Sequence, residues 1–311
     1  MRTYQGTVAP YPLCALYPTT MPHMKYGSVF YLIIGFLTKM TGSTGTKPGQ
    51  IPIGLIGQAT TLLLDMDGVL AEVSQSYRAA IVATCREFGA TSVTYDVISQ
   101  WKARGGCNND WKLSMDLIKD DPNGRHDVSY EEVVETFERH YQGDPSKGIK
   151  GLCELESLIP TKNLLEELKS RIDALNVNGK RVGGMAIVTG RPRRDCMKFL
   201  ADHSLEHLFD TCVCMEDGPA KPHPHILLKA CEAMGITPSR QVLMVGDTPD
   251  DIKAAISAGC TAVAVVTPEN ALKAASEGNP FDSCLMCESM KQSGADMILE
   301  PGFAEILKAF P

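Results

Sequence analysis

Four apolar runs in the second half of the chain, residues 184–188, 211–215, 241–246 and 260–266, alternate with helical patterns beginning near 192, 222 and 250. Short apolar segments separated by helix-length crossovers bury both of their faces in a parallel sheet covered by helices. A fifth run, Leu62-Leu63-Leu64, ends in Asp65-Met66-Asp67-Gly68 and supplies another strand. The segment after this strand breaks the alternation. Tyr77, Ile81, Cys85 and Phe88 recur at helical spacing, and Ser129-x-x-Glu132 is a capping box opening a helix that buries Val133, Val134 and Phe137. Thr161, after Pro160, starts a further helix with Leu164, Leu165, Leu168 and Ile172 along one side. The expectation is an α/β fold with a mainly parallel sheet, interrupted after its first strand by a helical module.

A chain of 311 residues has room for two domains or for one with a large insertion. Its net charge of -7, with no Lys/Arg-rich run interleaved with aromatics, argues against a nucleic-acid partner and leaves small molecules as the expected ligands. Eleven scattered cysteines in a chain that needs no covalent staples point to a reducing, cytoplasmic setting. Cys212-x-Cys214 and Cys284-x-x-Cys287 are the close pairs; with His223 or His225 they lack a full zinc-ligand spacing, so buried reduced thiols are expected. The first 64 residues contain no Asp or Glu and carry an apolar run from Val29 to Leu37. That run is short for a membrane span, and no stable membrane insertion is expected for the core. Residues 1–58 read as an extension that is a targeting segment, a weak anchor, or a flexible presequence with Met24 or Met40 as the functional start.

Polar residues directly after strand ends carry the chemistry, because ligands of open parallel sheets bind beyond the carboxyl ends of the strands. Asp65 and Asp67, two apart, share one face of an extended segment. Two carboxylates so close are relieved by a cation or by one keeping its proton, which suits a nucleophile beside an acid/base; the alternative is an Asp-Gly turn after an ordinary strand. After Val188 comes Thr189-Gly190-Arg191-Pro192, offering a hydroxyl, a backbone amide and a helix start to an anion. Lys221-Pro222-His223-Pro224 holds an ammonium on a stiffened segment. After Val245, Gly246-Asp247-Thr248-Pro249-Asp250-Asp251 adds three carboxylates. Asp250 and Asp251 also suit the first turn of a helix, whereas Asp247, ahead of it, is better placed to meet a hard metal ion together with Asp65.

In order, Asp65-Met66-Asp67-Gly68, Thr189, Lys221 and Gly246-Asp247-x-x-x-Asp251 resemble the four motifs of the haloacid dehalogenase superfamily, over roughly residues 60–310. The 123 residues between Asp67 and Arg191, against 31 between Thr189 and Lys221, resemble its C1-capped branch, which includes phosphoglycolate phosphatases and β-phosphoglucomutases. The resemblance implies a Rossmann-like core over 59–72 and 159–311 and a helical cap over 73–158. It further implies hydrolysis of a small phosphorylated metabolite through an aspartyl phosphate on Asp65, with Asp67 as acid and then base. Magnesium would be held by Asp65, the Asp67 carbonyl and Asp247, supported by Asp251 and less directly by Asp250. Thr189, Gly190 and Lys221 would bind the phosphoryl oxygens. In the cap, the loop from Ala103 to Trp111 is expected to face the site, with Arg104 as a candidate partner for a second anionic group and Asn108 or Asn109 for hydroxyls. Arg191 divides between substrate contact and local pairing. The competing functions are a phosphomutase of the β-phosphoglucomutase type and a non-catalytic binding protein on the same scaffold; the fourth motif and the complete set of carboxylates favour the hydrolase.

Overall fold

A computed structural model describes residues 47–177 and 179–311. The apolar run from Val29 to Leu37 and the candidate starts at Met24 and Met40 lie outside the described residues.

Six strands form one parallel sheet: β1 (Thr61–Leu64), β2 (Met185–Val188), β3 (Thr211–Val213), β4 (Val242–Gly246), β5 (Thr261–Val265) and β6 (Met297–Leu299). Their order is β6-β5-β4-β1-β2-β3, so β1 lies in the interior with β4 on one side and β2 on the other. Leu62 pairs with Met185 and with Leu243, which sets the carboxyl ends of the three strands level. Apart from the threonines that open β1, β3 and β5 and Gly246 at the end of β4, the strands are apolar because both faces are covered. Leu62, Leu64, Ile187, Leu243 and Val245 face one helical layer, while Leu63, Ala186, Val188, Val242 and Met244 face the other. The first layer includes α5 (Lys162–Ala174), which buries Leu164, Leu165, Leu168 and Ile172, and α6 (Arg193–Asp202). The second is built on α7 (His225–Met234), α8 (Pro249–Ala258) and α10 (Leu285–Gln292). Helix α9 (Pro268–Ser276) comes after β5.

The excursion after β1 leaves through Ala71–Glu72 and returns through Ser157–Leu158, and these two segments pair with each other as an antiparallel ribbon. Between them lie α1 (Tyr77–Glu87), α2 (Tyr95–Arg104), α3 (Asp110–Asp120) and α4 (Tyr130–Gln142). Helix α4 begins with the Ser129/Glu132 capping box in both directions, and its Phe137 and Tyr141 rings stack with Tyr77 of α1. Residues 47–58 are the last part of the expected N-terminal extension. Gly49 N donates to Ile298 O, Gly57 N to Lys308 O and Ala59 N to Ala309 O, so this stretch is held on the sheet domain by the main chain. Two differences from the sequence expectation are local. Helix α7 starts at His225 rather than near 222, because Pro222 and Pro224 carry no N–H and the turn runs through them. Strand β6, an edge strand of three residues, escaped the sequence reading because its apolar run is too short to stand out. Among the described residues, no helix is long and apolar enough to cross a membrane.

Candidate active site

The level ends of β1, β2 and β4 bring the four sequence motifs to one place. Asp65 comes directly after β1 and is fixed by its N–H, which donates to Val245 O of β4. Lys221, 2% exposed, reaches in from the β3–α7 connection. Its ammonium donates to Val188 O at 3.2 Å and lies 3.0 Å from Asp65 Oδ1 and 2.5 Å from Asp251 Oδ1. Asp251 is wholly buried in the first turn of α8, where its other oxygen accepts from the N–H and hydroxyl of Thr248. Gly246 permits this: a methyl there would sit 2.1 Å from Asp251 Cβ. Gly68 does the same for Asp247, since at φ +72° a methyl would meet Asp247 Oδ2 at 2.3 Å.

Asp65, Asp247 and Asp251 offer carboxylate oxygens within 4.8 Å of one another, the one such cluster among the described residues. Burial, opposed by Lys221 and reinforced by Asp251 and Asp67, pushes the Asp65 carboxyl up to about 7. Burial, then Asp251 and Asp65, raises Asp247 well above the usual carboxylate range. Lys221 moves the opposite way from a lone buried amine: burial works against its charge, but Asp251 and Asp65 hold it above its ordinary value. One ammonium against three carboxylates leaves an excess of negative charge in a pocket of hard oxygen donors, and that donor set fits a divalent cation such as magnesium.

Asp67, the second carboxylate of the first motif, is turned toward Arg191. The Arg191 guanidinium, 1% exposed, donates from Nε to Asp67 Oδ1 at 2.5 Å and from Nη1 to Glu156 Oε2 at 2.8 Å. Its plane lies against Tyr77 and Phe199, with centroid distances of 4.8 and 5.6 Å. The Nη2 group is buried with no acceptor. Thr189 is buried, and its hydroxyl accepts from Arg191 N at 3.1 Å, which leaves the hydroxyl proton for an anion. Gly190 lines the cavity and permits a close approach: a methyl on it would lie 2.9 Å from Asn108 O.

The helical module closes this cavity, leaving about 40 Å³. Asn108 lines it and donates from its amide to Lys221 O at 3.2 Å. Asn109 instead caps α3 by accepting from Lys112 N. Arg104 is turned away: it stacks on Trp101 at 5.3 Å and lines a separate surface depression with Leu285 and Glu288. Besides Arg191, the cations that line the cavity are Arg78 and Lys102. Lys102 pairs with Asp110 at 2.8 Å and Arg78 with Glu269 at 2.7 Å. Helical periodicity carried the signal for Lys102, which lies four residues after the buried Ile98 and shares its face, whereas Arg104 projects from the other side of the same turn. Asp250 does not join the metal-type cluster; its two oxygens accept from Gly106 N at 3.0 and 2.8 Å, tying the module's loop to α8. Glu156 escaped the sequence reading because nothing in its own neighbourhood marks it; its role comes from Arg191 across the fold. Neither close cysteine pair joins His223 or His225 in a metal-type cluster among the described residues.

A family model described as haloacid dehalogenase-like hydrolase matches residues 59–259. A protein of Phytophthora nicotianae named imidazoleglycerol-phosphate dehydratase is 45% identical over 251 residues, which cover 80% of this chain and 52% of that protein. The chain thus spans about half the length of this relative. The phosphoglycolate phosphatase of Haemophilus influenzae (strain 86-028NP) is 29% identical over 218 residues, covering 70% of this chain and 89% of the relative. Among solved structures, that of a predicted phosphoglycolate phosphatase from Haemophilus somnus 129pt superposes with a TM-score of 0.57 at 24% identity, covering 81% of this chain and 97% of that one, a likeness of fold.

Proposed function

This chain belongs to the haloacid dehalogenase-like hydrolase family, and from that membership we propose that it is a magnesium-dependent phosphatase acting on a small phosphomonoester through an aspartyl phosphate on Asp65. The observation that carries the proposal is the convergence of Asp65, Lys221, Asp247 and Asp251 at the ends of adjacent strands, with Asp67 held beside them.

In this reading a carboxylate oxygen of Asp65 attacks phosphorus while the bond to the leaving alkoxide breaks. Asp67 gives that alkoxide its proton. Asp67 then takes a proton from a water as the water attacks the acyl phosphate, and inorganic phosphate leaves with Asp65 restored. Lys221, the Thr189 hydroxyl and the Gly190 amide hold the phosphoryl oxygens, fixed donors for charge that shifts during transfer. Asp65, the Asp67 carbonyl and Asp247 would hold magnesium, which supplies neutralisation of the charge between an anionic nucleophile and an anionic ester. Asp251 serves this set by fixing Lys221.

The cavity wall points to the substrate class. Lys102, Arg78 and Arg191 line a cavity of about 40 Å³, which favours a short ester with a second anionic group. A two-carbon phosphoester carrying a carboxylate, of the kind named in the Haemophilus influenzae relative, has that form.

The test is phosphate release from a panel of phosphomonoesters, 2-phosphoglycolate and hexose phosphates included, with and without magnesium, for the intact chain and Asp65→Asn. Metal-dependent release that falls at least ~10³-fold in the variant is expected. Equal release by both proteins overturns the nucleophile. Isomerisation of a hexose phosphate without free phosphate would establish the mutase in its place.

A further inference from the structure

Helix α10 begins with a second arrangement of reactive groups, away from the carboxylate cluster. Cys284 is its N-cap, and Cys284 Sγ accepts from Cys287 N at 3.3 Å. The two sulfur atoms lie 2.7 Å apart, inside the van der Waals contact of non-bonded thiols. Cys287 is fully buried, whereas Cys284 is partly exposed and lines a cavity of about 410 Å³. That cavity is enclosed by Asp96, Ser99 and Gln100 of α2 and by Glu269 and Lys273 of α9, so it lies on the seam between the helical module and the sheet domain. The same helix holds the module: Ser289 Oγ donates to Ala103 O at 2.5 Å, one residue before the end of α2.

We propose that Cys284 and Cys287 are a redox modification site, a dithiol that hydrogen peroxide converts to an intramolecular disulfide at the seam between the two parts of the fold. The division of labour is set by position. An N-cap sulfur faces the unpaired amides of the first helical turn, whose partial positive charge stabilises a thiolate. The Cys287 thiol donating to it, together with backbone amides, holds Cys284 down to about 7, while that donated bond and burial raise Cys287. The Cys284 thiolate attacks one peroxide oxygen; the S–O bond forms, the O–O bond breaks, and hydroxide leaves to take up a proton as water. Cys287 then loses its proton and attacks the Cys284 sulfur; the S–S bond forms, the S–O bond breaks, and the departing hydroxide takes that proton as a second water. Two thiols are oxidised by two electrons and one peroxide is reduced to two waters. A thiol reductant reverses the step by exchange. Cys85, Cys196, Cys214, Cys231 and Cys260 are buried, whereas Cys107, Cys153 and Cys212 are partly exposed like Cys284 but do not cap a helix.

The experiment treats the reduced full chain with hydrogen peroxide and then alkylates it and maps peptides by mass. The peptide joining Cys284 and Cys287 should lose about 2 Da and resist alkylation at least ~10-fold more than before treatment, with both changes reversed by a dithiol reductant. Cys284→Ser should fold, because serine is a preferred N-cap, and should leave Cys287 reduced after peroxide. Cys287→Ser should stop at a sulfenic acid on residue 284 that a cyclic diketone traps. A first disulfide formed between other cysteines, or continued alkylation of Cys284 after peroxide, overturns the proposal, as does loss of Cys287 alkylation in Cys284→Ser after peroxide.

Discussion

Arg191 grips Asp67 through Nε at 2.5 Å while its Nη1 is held by Glu156 at 2.8 Å, so the guanidinium is clamped between a carboxylate of the site and one of the returning ribbon. Glu156 is itself braced by the hydroxyls of Ser76 and Tyr141. Burial outweighs the attraction of Arg191 and raises the Glu156 pKa, whereas Asp67 and Glu156 overcome burial to raise that of Arg191. Arg191 is thus a positioning residue for Asp67, resting on aromatic faces that leave its plane little freedom.

Replacing Arg191 by lysine keeps the charge and removes the planar fork that reaches two carboxylates at once. We expect kcat to fall about 10-fold or more, a share of the 10²–10⁴ that general acid–base catalysis supplies, with a smaller change in KM. Arg191→Ala leaves Glu156 buried without its cation and should cost about 3–5 kcal/mol in stability, read by urea unfolding. A kcat unchanged in Arg191→Lys would refute the positioning role.

Lys102 and Arg104 give opposite expectations from neighbouring positions. Lys102→Gln should raise KM for a carboxylate-bearing phosphoester about 10–100-fold, the equivalent of one hydrogen bond to a charged group, and should affect an ester without a second anion much less. Arg104→Ala, altering a side chain stacked on Trp101 outside the cavity, should leave both substrates unaffected. Steady-state kinetics on the two substrates separates these outcomes.

The crowding of Asp65, Asp247 and Asp251 makes the metal-free protein pay in stability for its site. Asp247→Asn should therefore melt higher than the wild type in chelator, because one repelling carboxylate is gone. Magnesium should raise the wild-type melting temperature and leave that of the variant nearly unmoved. A variant less stable in chelator, or one that keeps the full magnesium shift, would contradict this account.

Gly68→Ala tests the same cluster through the backbone. The methyl would push against Asp247 in a conformation already unfavourable for alanine by about 1–2 kcal/mol. The expected result is loss of the magnesium-induced melting shift with the circular dichroism spectrum retained. Calorimetric magnesium binding at wild-type strength would show that Asp247 is not needed where Gly68 leaves it.

Three of the four motifs were readable in the sequence because their residues come directly after an apolar run, and a parallel sheet lines up such ends by its own hydrogen bonding, whereas Lys221 lies in a connection well past the end of β3. Asp65 after Leu64, Thr189 after Val188 and Asp247 after Gly246 all obey that rule. That helices follow β1 was also readable, since Tyr77, Ile81, Cys85 and Phe88 recur at helical spacing and Ser129-x-x-Glu132 opens a further helix. Contacts made across the fold were not. Asp250 carries the mark of any acidic residue in a first helical turn, and only the docked loop shows that it holds Gly106. Arg104 was the plausible cation by composition, yet the rotation of α2 presents Lys102 to the cavity instead.

Asp250 and Asp251 are consecutive residues of one short helix, and they face in different directions. The first fastens the loop that shapes the cavity, and the second fastens the ammonium that sits beside Asp65. A slight roll of that helix would therefore disturb substrate choice and reactivity in the same movement. Divergence among relatives can alter the four-helix module freely only while this pair of adjacent acids keeps its two separate grips.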